Sequence, residues 1–514
     1  MYSRVYSGAV NGVDAYRIEV EVDCSGGMGQ INIVGLPDAA VKESQERVRS
    51  AIRACEILMP AAKKWTVNLA PADTRKEGPF LDLPIAVAIL SSTGQLPVER
   101  LADFWIVGEL GLDGAVRGVN GVLATAIACK ASGATNLIVP EANAHEAALL
   151  DGLNVYAVSH LKQVCTLLCS PTSMNPIYSY ARERFKACPD SPVEFPDFSE
   201  VKGQSNAKRA LMIAAAGRHN VIMVGPPGSG KSMLAQRMPG IMPQLSFDEA
   251  LELTKLYSVA GRLSEKTGVV SQRPFRSPHH SASLPGLVGG GSFPKPGEIS
   301  LSHLGVLFLD EMTEFPRSHL DSLRQPMETG SVTISRAQSC FTFPANFLLV
   351  GACNPCPCGY RGDPLKYCVC TPNQADRYWA RISGPILDRI DIQIEVGRIN
   401  EIEMSSEVSG ESSEIMRLKV MRAVERQRAR LPEGAFIFNS QLGQAELRRY
   451  CRLSTPVREV LAKAVSQLGL SARAYDRVRR ISRTIADLSD ADEIEPLHVL
   501  EAVKYRHLRM STCA

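Results

Sequence analysis

The 514-residue chain contains no apolar run long enough to cross a membrane, and its start, from Met1 to Val5, contains no apolar signal region. These absences exclude a membrane-spanning protein and predict a cytoplasmic one. Strong charge of one sign is also absent: the formal net charge is only +3, so no global basic field indicates nucleic acid. The chain has neither an internal repeat nor a long low-complexity tract. We therefore expect a protein of two to four globular domains.

Fourteen cysteines occur without a secretion signal. Disulfides persist mainly in oxidising compartments, so this combination argues against a disulfide framework and favours free thiols together with a metal site. Hydrophobic residues make up 45% of the chain, which is enough to build sizeable cores.

A glycine-rich loop is the most informative motif. It follows the apolar run 221–224 and opens into a helical pattern, the setting that a phosphate-binding loop requires. Backbone N–H groups of such a loop surround phosphates, Lys231 would reach the β- and γ-phosphates, and Ser232 would bind Mg²⁺. The sequence predicts that ATP or GTP is bound by the residues Gly225, Pro226, Pro227, Gly228, Ser229, Gly230, Lys231 and Ser232.

Two further apolar runs end in residues suited to hydrolysis. The run 306–309 leads to Asp310, which would hold magnesium through its water shell, and to Glu311, which would polarise the attacking water. The run 347–352 leads to Asn354, whose neutral amide can orient water against the γ-phosphate. Three strand ends with these side chains predict nucleotide hydrolysis as well as binding.

Two arginines indicate that hydrolysis takes place between subunits. Arg389 follows a short apolar stretch that could present it at a domain edge, and an arginine supplied by a neighbour can raise phosphoryl-transfer rates by roughly 10³–10⁵. Arg473 begins an amphipathic helix and is a second candidate. Arg477 and Arg480, farther along this helix, are interpreted as part of a solvated basic face.

Four cysteines bracket a turn-rich loop: Cys356, Cys358, Cys368 and Cys370. Two thiolate pairs at the ends of such a loop could close a tetrahedral Zn²⁺ site, although the C-x-C spacing is tighter than the usual C-x₂-C. The pattern leaves two hypotheses open, a structural zinc site and reduced, unligated thiols.

The motifs GPPGSGKS, VLFLDE, GACNPCPCG, PILDRIDI and SARAYDRVRR together resemble those of the AAA+ ATPases of the magnesium-chelatase-like group, and within it the ComM/YifB family of bacterial proteins. Residues 273–280 and 287–291 resemble that family's insertion in the second AAA+ helix. The resemblance implies a hexameric ATPase, and ComM-type members act as DNA helicases that drive branch migration of recombination intermediates in natural transformation. In family terms Arg389 matches the trans-acting finger and Arg473 the second sensor.

The N-terminal third resembles the proteolytic domain of Lon proteases in the motifs 67–73, 76–84, 107–110 and 136–141. Phe80 occupies the position of the nucleophilic serine, and Leu123 occupies that of the general-base lysine. Apolar side chains can neither attack a carbonyl nor take up a proton. We therefore predict a Lon-like α+β domain that is catalytically inactive.

The predicted fold class is α/β, in four parts. The Lon-like domain spans 1–168, and a proline-containing linker spans 169–196. An AAA+ core with a parallel sheet spans 197–397 and carries the helix-two insertion, a presensor hairpin and the cysteine loop. A helical lid with Arg473 spans 398–514.

The hairpin is predicted from two alternating runs within 331–343, with Arg336 near the tip. In a ring, six such arginines would line a pore and contact DNA phosphates. The alternative is that the hairpin only packs against neighbouring subunits.

Three function classes follow from these motifs. The leading hypothesis is an ATP-driven hexameric helicase or translocase that acts on branched or single-stranded DNA, with recombination proteins as further partners. The second is a protein-remodelling ATPase like the motor subunit of magnesium chelatase, which the Lon-like unit and the cysteine loop argue against. The third is an ATP-dependent protease, which Phe80 and Leu123 argue against.

Overall fold

The structure is a computed structural model. It describes residues 2–60, 62–74, 76, 78–177, 185, 195–264, 268–291, 294–335, 340–399, 410–432 and 437–506. The chain forms two compact units, each assembled from separate segments. The first consists of Met1–Ser191, Ser246–Ser271 and Ser335–Phe343, and the second of Pro192–Leu245, Gln272–Ile334 and Pro344–Ala514.

The first unit is built on a mixed seven-stranded sheet in the order β3-β4-β2-β1-β5-β8-β9. Strands β1 and β2 form a long antiparallel hairpin, paired from Tyr2 with Asp23 to Asn11 with Asp14. Alternation along β2 buries Ile18, Val20 and Val22 on one face. The strands of this unit are β1 Tyr2–Asn11, β2 Asp14–Gly26, β3 Ile31–Val34, β4 Lys63–Ala70, β5 Phe104–Ile106, β6 Glu109–Leu110, β7 Val116–Arg117, β8 Asn136–Pro140 and β9 Asn154–Val158.

Helices cover this sheet, and the segment 246–271 adds one more helix to the same unit. Every residue of Asp82–Ser92 is buried, which agrees with its nearly uniform apolar sequence. The carboxylate of Asp38 caps the first helix by accepting a hydrogen bond from Val41 N–H. The helices are Ala39–Ala54, Asp82–Ser92, Val98–Leu101, Val122–Ala131, Ala144–Ala147, Leu161–Cys169 and Phe247–Val259.

The second unit contains a five-stranded sheet in the order β11-β14-β17-β10-β18, and all of its neighbouring strands are parallel. Its three central strands are buried along their whole length, as expected when helices cover both faces of a parallel sheet. The strands from residue 221 onward are β10 Val221–Val224, β11 Phe275–Arg276, β12 Gly289–Gly290, β13 Lys295–Pro296, β14 Val306–Leu309, β15 Ser331–Ser335, β16 Cys340–Pro344, β17 Leu348–Cys353 and β18 Ile392–Glu395. All of β16 except Pro344 belongs to the first unit.

The C-terminal part of the second unit is helical. Val478, Ile481 and Ile485 are fully buried on one face of the long helix Ala472–Leu488, at the spacing that the sequence predicts. The helices of this unit are Ser205–Gly217, Lys231–Gln236, Met238–Ile241, Leu284–Val288, Glu298–Leu301, Arg317–Ser322, Arg324–Thr329, Pro372–Trp379, Gly384–Arg389, Ser413–Arg430, Gln444–Tyr450, Thr455–Leu468, Ala472–Leu488 and Pro496–Lys504.

The predicted α/β class, with a parallel sheet followed by a helical C-terminal region, is confirmed. Within the described part of the chain, no helix has both the length and the apolar character needed to cross a membrane. Much of the predicted linker lies outside the described residues, namely 178–184 and 186–194.

Candidate nucleotide site and cysteine cluster

The glycine-rich loop lies between the buried strand β10 and the helix Lys231–Gln236. Gly228 and Gly230 have φ angles of +76° and +87°, in the left-handed region that glycine adopts without a Cβ clash. The Lys231 side chain folds back over the loop, and its Nζ donates hydrogen bonds to the carbonyl oxygens of Gly225 at 2.7 Å and Pro226 at 2.9 Å. The loop thus has the strand–turn–helix geometry that the motif requires.

Lys231 is buried, and burial lowers the pKa of its ammonium group, while the negative charge of Asp310 opposes this shift. A bound phosphate would supply further negative charge and favour the protonated form. The Lys231 Nζ also lies 3.4 Å from Oδ1 of Asn354. Lys231 of the phosphate loop and the Asn354 amide, which follows β17, therefore lie close together.

Ser232 and Asp310 are in direct contact, although 78 positions separate them in the sequence. The Ser232 hydroxyl donates to Oδ2 of Asp310 at 2.7 Å. Asp310 follows β14, which is a neighbour of β17, and β17 in turn pairs with β10. The carboxyl ends of these parallel strands share one edge, and a hydroxyl and a carboxylate there are oxygen ligands of the kind that Mg²⁺ accepts.

Glu311 has a φ angle of +48°, which is uncommon for a residue with a side chain. Its backbone N–H donates to Oδ1 of Asp310 at 2.9 Å, and its side chain is 56% exposed. The Glu311 carboxylate therefore projects into solvent beside Ser232 and Asp310, the candidate Mg²⁺ ligands. This position suits a residue that acts on water.

His280 lies next to Glu311, a neighbour that the sequence does not predict. The His280 Nδ1 is 3.8 Å from Oε2 of Glu311, and the two imidazoles of His279 and His280 lie 4.1 Å apart between centroids. The sequence resemblance assigns both histidines to the helix-two insertion and gives no partner for them. The contact joins the loop that follows β11 to the second residue after β14, and sequence spacing alone does not reveal that side chains of two such separate segments meet.

Arg389 ends the helix Gly384–Arg389 and is only 15% exposed. It forms an ion pair with Glu328, and its Nη1 donates to the carbonyl oxygen of Pro385 at 2.7 Å. Among the described residues, no hydrogen bond or ion pair joins it to the phosphate loop of its own chain. To act in a neighbouring site, the guanidinium would have to leave Glu328.

The helix Ala472–Leu488 begins with Arg473, which is exposed and forms no hydrogen bond or ion pair within the described part of the chain. Arg477, one turn later, donates to Oδ1 of Asp391 at 2.6 Å, and Arg480 donates to the carbonyl oxygen of Leu442 at 2.7 Å. The predicted solvated face is therefore wrong for Arg477 and Arg480. Both side chains bridge to other parts of the second unit, which the helical period alone could not reveal.

Arg336 lies outside the described residues, as do 337–339. Strands β15 and β16 flank this segment in the sequence, as two alternating runs predict. The assignment of Arg336 to DNA stays a prediction.

The four cysteines of the loop converge. Cys356 Sγ lies 3.3 Å from that of Cys358 and 3.6 Å from that of Cys368, and all four sulfurs are within 4.8 Å of one another. A tetrahedron with Zn–S bonds of about 2.3 Å has sulfurs roughly 3.8 Å apart, whereas a disulfide bond is about 2.05 Å long. The donor set and its spacing therefore fit a tetrahedral Zn²⁺ ion.

Local hydrogen bonds lower the pKa of one of these thiols. Burial opposes ionisation of Cys358, but hydrogen bonds from the backbone of Tyr360 and from Cys356 outweigh it and lower the Cys358 pKa to about 6. Burial and neighbouring sulfurs raise the pKa of Cys368 to about 12. Thiolates are the zinc-binding form, and a bound cation would favour all four of them.

The cysteine loop also abuts the phosphate loop. A Cβ added at Gly359 would come within 2.7 Å of Pro227 Cδ, and Gly359 has a φ angle of +83°. Any other residue at this position would be strained and would displace the phosphate loop. The cysteine loop and the nucleotide site are thus in van der Waals contact.

Phe80 and Leu123, which we predicted to replace the Lon nucleophile and base, both have apolar surroundings. Leu123 is fully buried in a core that includes Trp105 and Val122, and Phe80 packs against the main core of the first unit.

Comparisons with known families agree with this geometry. The model described as "Magnesium chelatase, subunit ChlI" matches residues 197–404, "Subunit ChlI of Mg-chelatase" matches 20–143, and "Magnesium chelatase, subunit ChlI C-terminal" matches 410–506. The competence protein ComM of Haemophilus influenzae is 44% identical over 510 residues, which cover 98% of this chain and 97% of that protein.

The chain belongs to the magnesium-chelatase-like family of ComM and YifB. The YifB protein of Escherichia coli is likewise 44% identical, over 509 residues that cover 98% of this chain and 97% of YifB. Lon protease 2 of Bacillus subtilis is 27% identical over 197 residues, covering 33% of this chain and 35% of that protein.

Proposed function

We propose that this protein is an ATP-driven, ring-forming DNA translocase or helicase that promotes branch migration of recombination intermediates. The observation that carries the ATPase part is the convergence of Lys231, Ser232, Asp310 and Asn354 at the carboxyl edge of one parallel sheet. Such an arrangement positions the groups that bind and polarise a nucleoside triphosphate and its magnesium ion.

In this proposal the phosphate loop from Gly225 to Ser232 holds ATP, and Ser232 and Asp310 hold Mg²⁺. Bound Mg²⁺ would neutralise charge on the phosphates. Glu311 orients and deprotonates the attacking water, because its exposed carboxylate projects from the same strand end. Asn354 contributes its amide to the γ-phosphate side of the site.

Arg389 and Arg473 are assigned to the interface between subunits of a homo-hexamer. Among the described residues, neither arginine contacts the phosphate loop of its own chain. For Arg389 this supports a role in the nucleotide site of a neighbouring subunit. Its ion pair with Glu328 provides a resting position within the subunit.

The DNA part of the proposal is supported by the relative named competence protein ComM, which aligns over nearly the whole chain. Competence requires handling of incoming DNA, and a ring motor with cationic pore residues is suited to translocating along a polyanion. Arg336 is the proposed pore contact, and recombination proteins in the cytoplasm are the proposed partners.

We also propose that Cys356, Cys358, Cys368 and Cys370 bind one structural Zn²⁺ ion. Their converging sulfurs support it. A metal there would fix the loop that carries Gly359 against Pro227 and so would stabilise the phosphate loop.

A second candidate is a protein-remodelling ATPase that acts on a partner enzyme. The three family models, all described for a magnesium chelatase subunit, favour it. One of them matches residues 20–143, so the N-terminal unit does not argue against this candidate as the sequence suggested.

The deciding experiment measures the ATPase rate of the full chain with and without forked or four-way DNA. We expect strong stimulation by branched DNA and displacement of a labelled strand. Lys231→Ala is the matched control, since it should remove both activities while leaving the DNA substrates unchanged. ATP hydrolysis that does not respond to any DNA would reject the translocase and favour the protein-remodelling candidate.

A further inference from the structure

The tip of the cysteine loop exposes large apolar side chains. Leu365 is 76% exposed, Tyr367 is 92% exposed and Val369 is 79% exposed. Leu365 and Tyr367 lie between Cys358 and Cys368, whose sulfurs are 3.6 Å apart, and Val369 lies between Cys368 and Cys370, so the ends of this tip are held together. Neighbouring exposed apolar residues on a constrained loop are typical of a contact surface rather than of a solvated turn.

A groove of about 680 Å³ adjoins the tip. One wall is the cysteine loop and the other is the helix Pro372–Trp379 with the residues that follow it. The groove is lined by Glu314, Pro357, Cys358, Val369, Cys370, Gln374, Arg377, Tyr378 and Arg381. It therefore combines apolar and aromatic surface with guanidinium groups.

Two acidic groups near this surface are already paired with arginines, whereas Asp376, on the helix Pro372–Trp379, is exposed and has no ion pair among the described residues. Asp363 forms an ion pair with Arg398 at 2.7 Å, and Glu314 forms one with Arg381 at 2.9 Å. Arg377, by contrast, is exposed and has no ion-pair partner among the described residues.

Two further cations lie on the tip itself. Arg361 has no ion-pair partner in the described part of the chain, and the Lys366 ammonium lies 4.9 Å from the ring centroid of Tyr360. Among the groups of this surface without an ion pair, the three cations Arg361, Lys366 and Arg377 outnumber the one acid, Asp376, so the surface presents net positive charge beside an exposed tyrosine ring.

We propose that this cysteine-loop surface, formed by Leu365–Val369 together with Arg361 and Arg377, binds single-stranded nucleic acid. An exposed aromatic ring can stack on any base, and cations beside it can contact the flanking phosphates. Tyr367 supplies the ring, and Arg361, Lys366 and Arg377 supply the positive charge. The inference rests on the proposed function, in which the protein translocates along DNA. It adds a DNA contact that is separate from the hairpin of Arg336.

The charge distribution favours nucleic acid over an apolar protein partner. A subunit contact would bury Arg377 and Arg361 and would need acidic partners for them, whereas a phosphate backbone supplies negative charge at every nucleotide. Contact between copies of this chain is the competing occupant.

The test measures binding of a fluorescein-labelled, mixed-sequence 30-nucleotide strand to the full chain by anisotropy, at several salt concentrations. Tyr367→Ala should weaken binding by about 5-fold to 100-fold, the range expected for one lost stacking contact, with an unchanged salt slope. Tyr367→Phe should bind like the parent chain. Arg377→Ala should reduce the slope of log K against log salt by about 0.7, the value for one single-strand phosphate contact.

Tyr2→Ala is the matched control, because Tyr2 is a 54% exposed tyrosine in the first unit. Melting temperature and oligomeric state by light scattering are measured for every variant. Loss of affinity in Tyr367→Ala with normal folding and assembly supports the proposal.

Three results would overturn it. Unchanged affinity in both Tyr367→Ala and Arg377→Ala, with binding still dependent on Arg336, rejects this surface and leaves the translocase intact. Impaired assembly with unchanged affinity per assembled ring identifies a subunit contact instead. Absence of DNA binding by the parent chain rejects this surface and the translocase together.

Discussion

Arg477 donates a hydrogen bond from Nη1 to Oδ1 of Asp391 at 2.6 Å. Asp391 is buried and lies two residues after Arg389, while Arg477 lies one helical turn after Arg473. The helix that begins at Arg473 is therefore fixed to the chain segment that carries Arg389.

The Asp391 carboxylate should stabilise the second unit. Burial alone would raise its pKa, but the interactions with His219 and Arg477 outweigh burial and lower the pKa below its ordinary value. A depressed pKa contributes stability above the unfolded-state value of about 3.9, and this stability is lost as the pH falls through the folded-state pKa. Asp391→Asn should lower the free energy of unfolding by about 3 kcal/mol at pH 7, because it leaves the partly buried Arg477 without its carboxylate partner.

Urea unfolding between pH 3 and 7 measures this effect, and the difference from the parent chain should shrink below about pH 4. Asp151→Asn, a change at an exposed aspartate of the first unit, is the control and should have little effect. Equal stability of Asp391→Asn and the parent chain at pH 7 would contradict the assignment.

The active-site assignment separates binding from turnover. Lys231→Ala should abolish ATP binding, because the buried ammonium is the cation of the phosphate loop. Glu311→Gln should keep ATP bound and reduce turnover by about 10²-fold or more, since this residue acts only on water. Fluorescent-nucleotide binding and phosphate release measure the two steps. Normal hydrolysis by Glu311→Gln would show that the base lies elsewhere.

Arg389 should act across an interface. Arg389→Ala subunits should bind ATP but hydrolyse it poorly, and mixing them with Lys231→Ala subunits should restore part of the activity, since some interfaces then contain both residues. The ATPase rate across mixing ratios is the measurement, with light scattering to confirm assembly. If mixed rings form without any recovery, Arg389 does not act in trans.

Metal content tests the cysteine cluster. Protein purified without chelators should carry about one zinc per chain, with Zn–S distances near 2.3 Å by X-ray absorption. Cys358→Ser should lose the metal, and Cys169→Ser, at an exposed cysteine outside the cluster, should retain it. If elemental analysis finds no zinc, the four cysteines are unligated thiols instead.

Arg336 should contact the phosphate backbone of DNA. Arg336→Ala should weaken DNA binding and make its salt dependence shallower, and Arg336→Lys should retain part of the affinity, because a point charge still attracts phosphate without the bidentate fork. Strand displacement on forked DNA measures the consequence. If Arg336→Ala unwinds forked DNA as well as the parent chain does, the hairpin is not the element that binds DNA.

Local motifs allowed much of the fold to be predicted. The apolar runs before Gly225, Asp310 and Asn354 each form a strand of the parallel sheet, because a continuous apolar segment bounded by glycine or polar residues favours a buried strand. The amphipathic helix after Ser471 follows from a 3.6-residue period. Such features depend on residues close together in the chain.

Contacts between distant side chains could not be predicted in this way. The partner of Glu311 is His280, that of Arg389 is Glu328, and that of Arg477 is Asp391. Each partner comes from a different element, and helical or strand periodicity gives the face of a residue without giving what packs against that face.

The sequence by itself determined which reactive groups this protein has: a phosphate loop, the acidic and amide residues after two strands, and four closely spaced cysteines. Only the tertiary structure decided how these groups are held, because side-chain pairing depends on which strand ends share a sheet edge and on which helices cover it. The helical pattern made Arg477 look like a solvated residue, and folding placed it against a buried carboxylate.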